Sequence, residues 1–213
     1  MTKELFLVRT SMTNTEEGSS VIIDVNTQRI CPNMSNAAFR ELVMRLRDTA
    51  ITMIDTRYLA LARYWDKERA PVEMWFGKSD ESLKQMLLTG LPKLKAAMLE
   101  LKAEKIVRYD DELSTYLTCV PAVSGPGVTA AVCKPDSSKR IIAIYPEFCG
   151  LPETHRQKNS QLKTLIHECT HFVDTFDSLD TVYGSGDGLA IWAKMNSDRT
   201  EKNADSITCY IAN

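Results

Sequence analysis

The sequence predicts an α+β fold. Residues 36–65 and 79–105 carry apolar side chains at three- and four-residue steps, the period of a helix with one buried face. Residues 106–149 break that period into short apolar runs separated by Pro, Gly and Ser. The helical period then returns from residue 159 onward. The expected architecture is a helical N-terminal part, a small β-sheet, a histidine-bearing helix and a C-terminal helical region.

Bulk properties set limits. The 213 residues fit one domain, residues 35–213, preceded by an N-terminal extension, residues 1–34, packed on or near it. Hydrophobic residues make up 44% of the chain, enough for a real core. The 26 basic and 28 acidic residues leave a net charge of -2, and the basic ones are dispersed, so no nucleic-acid partner is expected. No apolar run reaches membrane-spanning length, so stable membrane insertion is not expected. Leu5 to Val8 is too short for a signal-peptide core and Arg9 closes it. Secretion or delivery by a signal-independent route is the favoured expectation over a cytoplasmic location, and the protein is expected to act as a monomer.

Each element has its own signals. Val21 to Val25 is a short strand candidate, and Ser35 offers a helix cap. Phe39, Leu42, Val43, Leu46, Ala50, Met53 and Ile54 form the stripe of the first long helix, which Tyr58, Leu61, Ala62 and Trp65 extend. Lys67 to Pro71 is expected to end it, with Trp75-Phe76-Gly77 as an aromatic anchor and turn. Ser79 is the expected cap of the second helix, whose face is Leu83, Met86, Leu87, Leu91, Leu94, Met98 and Leu99. Gly90 interrupts that pattern, and Pro92 is expected to kink the helix or split it after Thr89. Tyr116 to Val120, Val128 to Cys133 and Arg140 to Tyr145 are strand candidates, the last being the clearest. Ser185 to Gly188 reads as a turn, Gly188 to Lys194 as an apolar periodic segment, and Thr200 to Tyr210 as a terminal helix.

The six cysteines are Cys31, Cys119, Cys133, Cys149, Cys169 and Cys209. Their even number permits disulfides as well as six buried thiols. Cys119 and Cys133 flank a Pro/Gly segment and could close a loop, while Cys149 could reach Cys169 or Cys209. No CxxC occurs, which argues against a four-cysteine zinc site.

The chemistry concentrates in Leu165-Ile-His-Glu-Cys-Thr-His-Phe-Val-Asp174. Leu162, Leu165, Ile166, Cys169, Val173 and Phe176 give it helical period, and Asn159 or Ser160 could cap its start. Four residues apart on a helix, His167 and His171 share one face and can present two imidazole nitrogens to one Zn2+ ion. Glu168 stands beside them, placed to accept a proton from water activated by the metal. A hydrolytic zinc site usually has three protein ligands and an open position. Asp174, Asp177 and Asp180 all follow, and spacing prefers Asp180 or Asp177 without choosing between them. His155, before the helix, is a further candidate.

The combined pattern resembles the aspzincin zinc metalloendopeptidases, the deuterolysin and peptidyl-lysine metalloendopeptidase group. That family joins HExxH to a downstream Gly-Thr-x-Asp-x-x-Tyr-Gly segment. Here the segment reads Asp177-Ser178-Leu179-Asp180-Thr181-Val182-Tyr183-Gly184, with Asp177 in place of Gly and Ser178 in place of Thr. A second match is Asn203-Ala204-Asp205. Weaker likenesses are Trp75-Phe76-Gly77 and Ile144 to Phe148. The resemblance implies a zincin-like domain over residues 35–213 that hydrolyses peptide bonds in protein or peptide substrates. It implies zinc on His167, His171 and Asp180, with Glu168 as base and Tyr183 donating to the oxyanion. Gly184 would permit the tight turn behind Tyr183 and line the substrate pocket.

Asp205 has two possible jobs. In the lysine-specific relatives the matching Asp lies at the S1′ pocket and helps hold a lysine ammonium, which implies a preference for lysine at P1′. It could instead orient a zinc ligand, as carboxylates around metal sites commonly do. Those relatives add a Glu three residues on, where this chain has Thr208, and Ile207 replaces their aromatic. Two other readings compete: a narrow-target toxin or effector protease or an amidase on a peptide-like polymer, and an inactive zinc or peptide-binding module whose site Asp177 or His155 would close.

Overall fold

The computed structural model describes residues 28–109, 117–119 and 127–213. The first helix, α1 (Asn36–Arg63), starts where expected, with the Ser35 hydroxyl accepting from the Ala38 amide. It stops at Tyr64, whose φ of -133° leaves helical space. A second helix, α2 (Trp65–Phe76), begins at once. The expectation that Lys67 to Pro71 ends the helical run is therefore corrected: Pro71 lies inside α2. What restores helix past the proline is packing, because Val72, Trp75 and Phe76 are buried. The Glu68 carboxylate ties α2 to its neighbours, accepting from Arg57 of α1 and from the Tyr210 hydroxyl, each at 2.9 Å.

Gly77 ends α2 in the left-handed region, at φ 67°. A Cβ at Gly77 would lie 2.1 Å from the Ala193 carbonyl oxygen, so only glycine lets these two segments meet. Asp80, rather than Ser79, caps α3 (Glu81–Glu100) by accepting from Leu83 N at 2.8 Å. Pro92 does not split α3, which runs on through it. Pro92 is exposed, and the one hydrogen bond it cannot make, to the Leu88 carbonyl, does not end the helix. Leu99, expected on the packing face, is exposed.

The sheet has three short strands, β1 (Ile106–Arg108), β2 (Ala130–Val132) and β3 (Ile142–Ile144). Their order is β1-β3-β2, with β1 parallel and β2 antiparallel to the central β3. In register, Ala131 faces Ala143 and Val107 faces Ala143 from the other side. β2 and β3 fall inside their expected runs. β1 has no counterpart among the expected strands. Residues 117–119 form no strand, and the rest of the Tyr116 to Val120 candidate lies outside the described residues, as does Val21 to Val25.

The histidine helix is α4 (Gln161–Thr170), capped by Ser160, whose hydroxyl accepts from Lys163 N. Its apolar stripe stops at Cys169: Val173 is exposed, and Phe176 is buried in the following turns. Ser185 to Gly188 is the start of a helix, α5 (Gly186–Met195), and the chain ends in α6 (Ala204–Ala212). α1 packs on α3, α2 on α5, and α4 on α6. Every residue of α4 is buried, so the site is built on an enclosed helix.

Two disulfides form, Cys31–Cys149 and Cys119–Cys133. The second is the loop closure expected from sequence. The first corrects the expected reach of Cys149 to Cys169 or Cys209, both of which are buried free thiols. Cys149 follows the sheet, and the disulfide joins it to the stretch just before α1. Among the described residues no helix is long and apolar enough to cross a membrane.

Candidate metal centre and active site

Helix α4 delivers His167 and His171 to one face, as their spacing requires. Their Nε2 atoms lie 3.1 Å apart. Asp180 comes from the chain after α4, and its Oδ1 lies 3.1 Å from His167 Nε2 and 3.2 Å from His171 Nε2. The three donors form a nearly equilateral triangle. Its sides approach the ~3.3 Å ligand-to-ligand edge of a tetrahedral zinc site with bonds of about 2.0 Å. Two imidazoles and one carboxylate are also the donor types zinc takes, so the residues fit the ion. Asp180 therefore joins the triangle, and the other candidates do not. Asp174 turns away to Arg140, Asp177 pairs with Lys134 at 2.8 Å, and exposed His155 accepts from the Gln157 and Lys158 amides.

Asp180 is placed by a local chain of constraints. After α4 the chain turns through Asp177, at φ 48°, the left-handed region that glycine enters freely and Asp tolerates. That explains how Asp can stand where the resembling family has Gly. Ser178 then doubles back on α4, its amide donating to the Thr170 carbonyl. Its hydroxyl lies 2.7 Å from Thr170 Oγ1 and 3.0 Å from His171 Nδ1. The Ser178 carbonyl, 3.1 Å from His171 Nδ1, also accepts from Lys134 Nζ at 2.7 Å. Leu179 then pairs with the start of α6, donating to the Lys202 carbonyl and accepting from Ala204 N.

The far nitrogens of both histidines are thereby engaged. Asp205, in the first turn of α6, brings Oδ1 within 2.6 Å of His167 Nδ1. Its Oδ2 accepts from Gly184 N at 2.7 Å, so one carboxylate fixes both a histidine and the turn behind Tyr183. Asn203 braces the same turn, accepting from Val182 N and donating to Ser206.

The electrostatics favour a cation. Burial opposes a charge on His167, yet hydrogen bonds to Asp180 and Asp205 outweigh it and hold its pKa up at about 10. Asp180 is held far below the usual carboxylate range: burial pushes it up, but the two histidines prevail. Glu168 is buried, which raises its pKa, while His167 and His171 pull the other way. Among the described residues no group hydrogen-bonds its carboxylate. Tyr183 stacks on the His167 ring, with centroids 6.1 Å apart and an interplanar angle of 19°. Partial desolvation, then the charge of Asp180, keeps its hydroxyl protonated.

These groups line a cleft of about 760 Å³. One wall is β2 with its flanks, Gly127 to Val132, and the other is the side of α4 that carries Lys163, Thr164, His167 and Glu168, with Asp205, Thr208 and Cys209 of α6. All the site residues expected from sequence, His167, Glu168, His171, Asp180, Tyr183, Gly184 and Asp205, border it. Sequence reasoning missed Ser178 as the partner of His171, and it missed Lys163 and Thr164 on the cleft wall. Lys163 had a readable signal: it precedes His167 by four residues and so shares its helix face.

The sequence model of the lysine-specific metallo-endopeptidases, the M35 aspzincins, matches residues 62–212. The chain belongs to the aspzincin family. It is a zinc-dependent endopeptidase acting on protein substrates, with its zinc-binding donor set at His167, His171 and Asp180. Among solved structures, a zinc peptidase from Grifola frondosa matches with a TM-score of 0.61 at 19% identity. The match covers 83% of this chain and 96% of that one, a likeness of fold. No curated protein matches significantly. The aspzincin match spans α2 to α6 and so includes the whole donor set and Asp205.

Proposed function

We propose that Glu168 is the general base of this aspzincin and that Tyr183 and Asp205 complete its working site. The observation that carries this is one buried carboxylate without a hydrogen-bonding partner among the described residues, Glu168, on the helix that also presents two of the three donors. Zinc on His167, His171 and Asp180 would supply Lewis acidity, polarising the scissile carbonyl and activating water for attack. Glu168 then accepts the proton of the attacking water and passes it to the departing amine. Its burial raises its proton affinity, which suits a group that must take a proton and give it back.

Tyr183, protonated and stacked beside His167 at the cleft, donates a hydrogen bond to the developing oxyanion. Asp205 is a positioning residue in this reading. Both its oxygens are engaged, by His167 and by Gly184, which leaves little of it to hold a substrate lysine. An extended peptide binds along β2, which within the sheet pairs with β3 on one side only and so can add a strand on the other. A closed structural zinc site would need a fourth protein ligand, and neither Asp177 nor His155 is positioned to be one. Two disulfides suit an oxidising compartment, which supports secretion.

The test is Glu168→Gln, assayed for peptide cleavage and for bound zinc. We expect kcat/KM to fall at least about 100-fold with zinc still bound in equimolar amount. Retained turnover in the zinc-loaded variant would remove Glu168 from the role.

A further inference from the structure

We propose that Lys163 and Thr208 form a side-chain subsite one helical turn from the metal triad, and that it takes a substrate residue ending in a carboxylate, glutamate or aspartate. The proposal rests on the endopeptidase reading and names which peptides that cleft selects.

The placement follows from how α4 and α6 pack. Asp205, at the start of α6, meets His167, while Asn213, after its end, meets Lys163 near the start of α4. The two helices therefore run antiparallel along this contact. Thr208 lies one turn beyond Asp205 on α6, and Lys163 lies one turn before His167 on α4. Moving off the metal along the cleft wall leads to both, and both line the cleft.

Their chemistry is unfinished. Lys163 is only 3% exposed. Its ammonium donates to the Arg156 carbonyl at 2.6 Å and to Asn213 Oδ1 at 3.4 Å, both neutral acceptors. Among the described residues no carboxylate lies at ion-pair distance from it, and an ammonium has a third N–H to place. A buried cation without a counterion is costly, and burial accordingly lowers the Lys163 pKa. Thr208 is 1% exposed, and its hydroxyl has no hydrogen-bond partner. A substrate carboxylate would complete both groups, accepting from the ammonium and from the hydroxyl.

The rest of the subsite agrees. Thr164 and Asn159 are neutral, and burial holds the Cys209 thiol protonated by raising its pKa to about 12. The nearest acid on α6, Asp205, is already engaged by both oxygens. A substrate lysine would bring a second ammonium towards Lys163. The family is described by lysine specificity, and this chain carries a cation in the cleft instead.

The experiment is cleavage of a proteome-derived peptide library by the zinc-loaded full chain, with cut sites read by mass spectrometry. We expect Glu and Asp enriched at one position adjoining the scissile bond. For a matched pair of peptides with Glu or Gln there, Lys163→Met should lower the Glu:Gln ratio of kcat/KM by about 10- to 100-fold. Thr208→Val is the second variant. It removes an unsatisfied buried hydroxyl and so should fold at least as well, and it should lower the same ratio several-fold. Cleavage without acidic enrichment, cleavage beside lysine, or an unchanged ratio in both variants would overturn the subsite. No cleavage of any peptide would overturn the endopeptidase reading and this one with it.

Discussion

Asp205 carries more of the site than any residue that touches only one group. It holds His167 through one oxygen and the Gly184 amide through the other, so it sets the angle of a donor and the path of the chain after Asp180. Asp205→Asn keeps the shape but removes the charge opposite the imidazole. We expect zinc affinity to fall about 10- to 100-fold, measured by competition with a chromophoric chelator. An unchanged affinity would reduce Asp205 to a turn brace. The site was unevenly legible at this scale. His167, Glu168 and His171 could be read from spacing because helix geometry is local and fixed. Asp180 could not be told from Asp177 by spacing, since the path of a turn depends on contacts such as Ser178 with Thr170 and His171. Asp205 stood out through Asn203-Ala204-Asp205 and Lys163 shares a helix face with His167, but the contacts of Asp205 with His167 and of Lys163 with Asn213 depend on the packing of α4 against α6, which no local pattern encodes.

Among the elements, α3 and the segment after α4 are coupled through a missing side chain. Gly90 is buried in α3, and a Cβ there would lie 2.1 Å from the Phe176 ring. Phe176 sits just before Asp177 and Asp180, so the glycine makes room for the turn that supplies the third donor. Gly90→Ala would raise helix propensity yet force the ring out. We expect a net destabilisation of about 1–3 kcal/mol, read by denaturant unfolding, with weaker zinc binding alongside. A stabilised variant would show that Phe176 repacks freely. The same kind of contact explains the misread boundaries. Prolines at 71 and 92 look like breaks in one dimension, but the helix packing of α2 and α3 outweighs their lost hydrogen bonds. β1 has only Ile106 and Val107 as an apolar run, between Lys105 and Arg108, whereas β2 and β3 lie within longer apolar runs, and its partner β3 is distant in sequence.

The whole molecule is tied together where sequence-distant parts meet. Cys31–Cys149 closes a separation of 118 residues, anchoring the chain before α1 to the segment that follows the sheet. Replacing both cysteines by Ser should lower stability by about 2–5 kcal/mol, measured by chemical denaturation. A second tie is Arg140, buried between Glu100 and Asp174 and lying over the Phe172 ring. The guanidinium's hydrogen bonds hold the Asp174 carboxyl below the usual range. A depressed folded-state pKa gives stability that is present above the unfolded value of about 3.9 and is lost as pH falls through the folded one. Asp174 is about half exposed, so solvent screens the pair and its share is below about 1 kcal/mol. Asp174→Asn should flatten the loss of stability below about pH 4, followed by thermal unfolding across pH.

Everything the site does depends on the donor set of His167, His171 and Asp180. Zinc-loaded Glu168→Gln protein, crystallised and measured at the zinc absorption edge, tests it most directly. We expect one anomalous peak, bound by His167 Nε2, His171 Nε2 and Asp180, with the remaining position held by solvent or substrate. A peak elsewhere, or a fourth protein ligand closing the site, would contradict it.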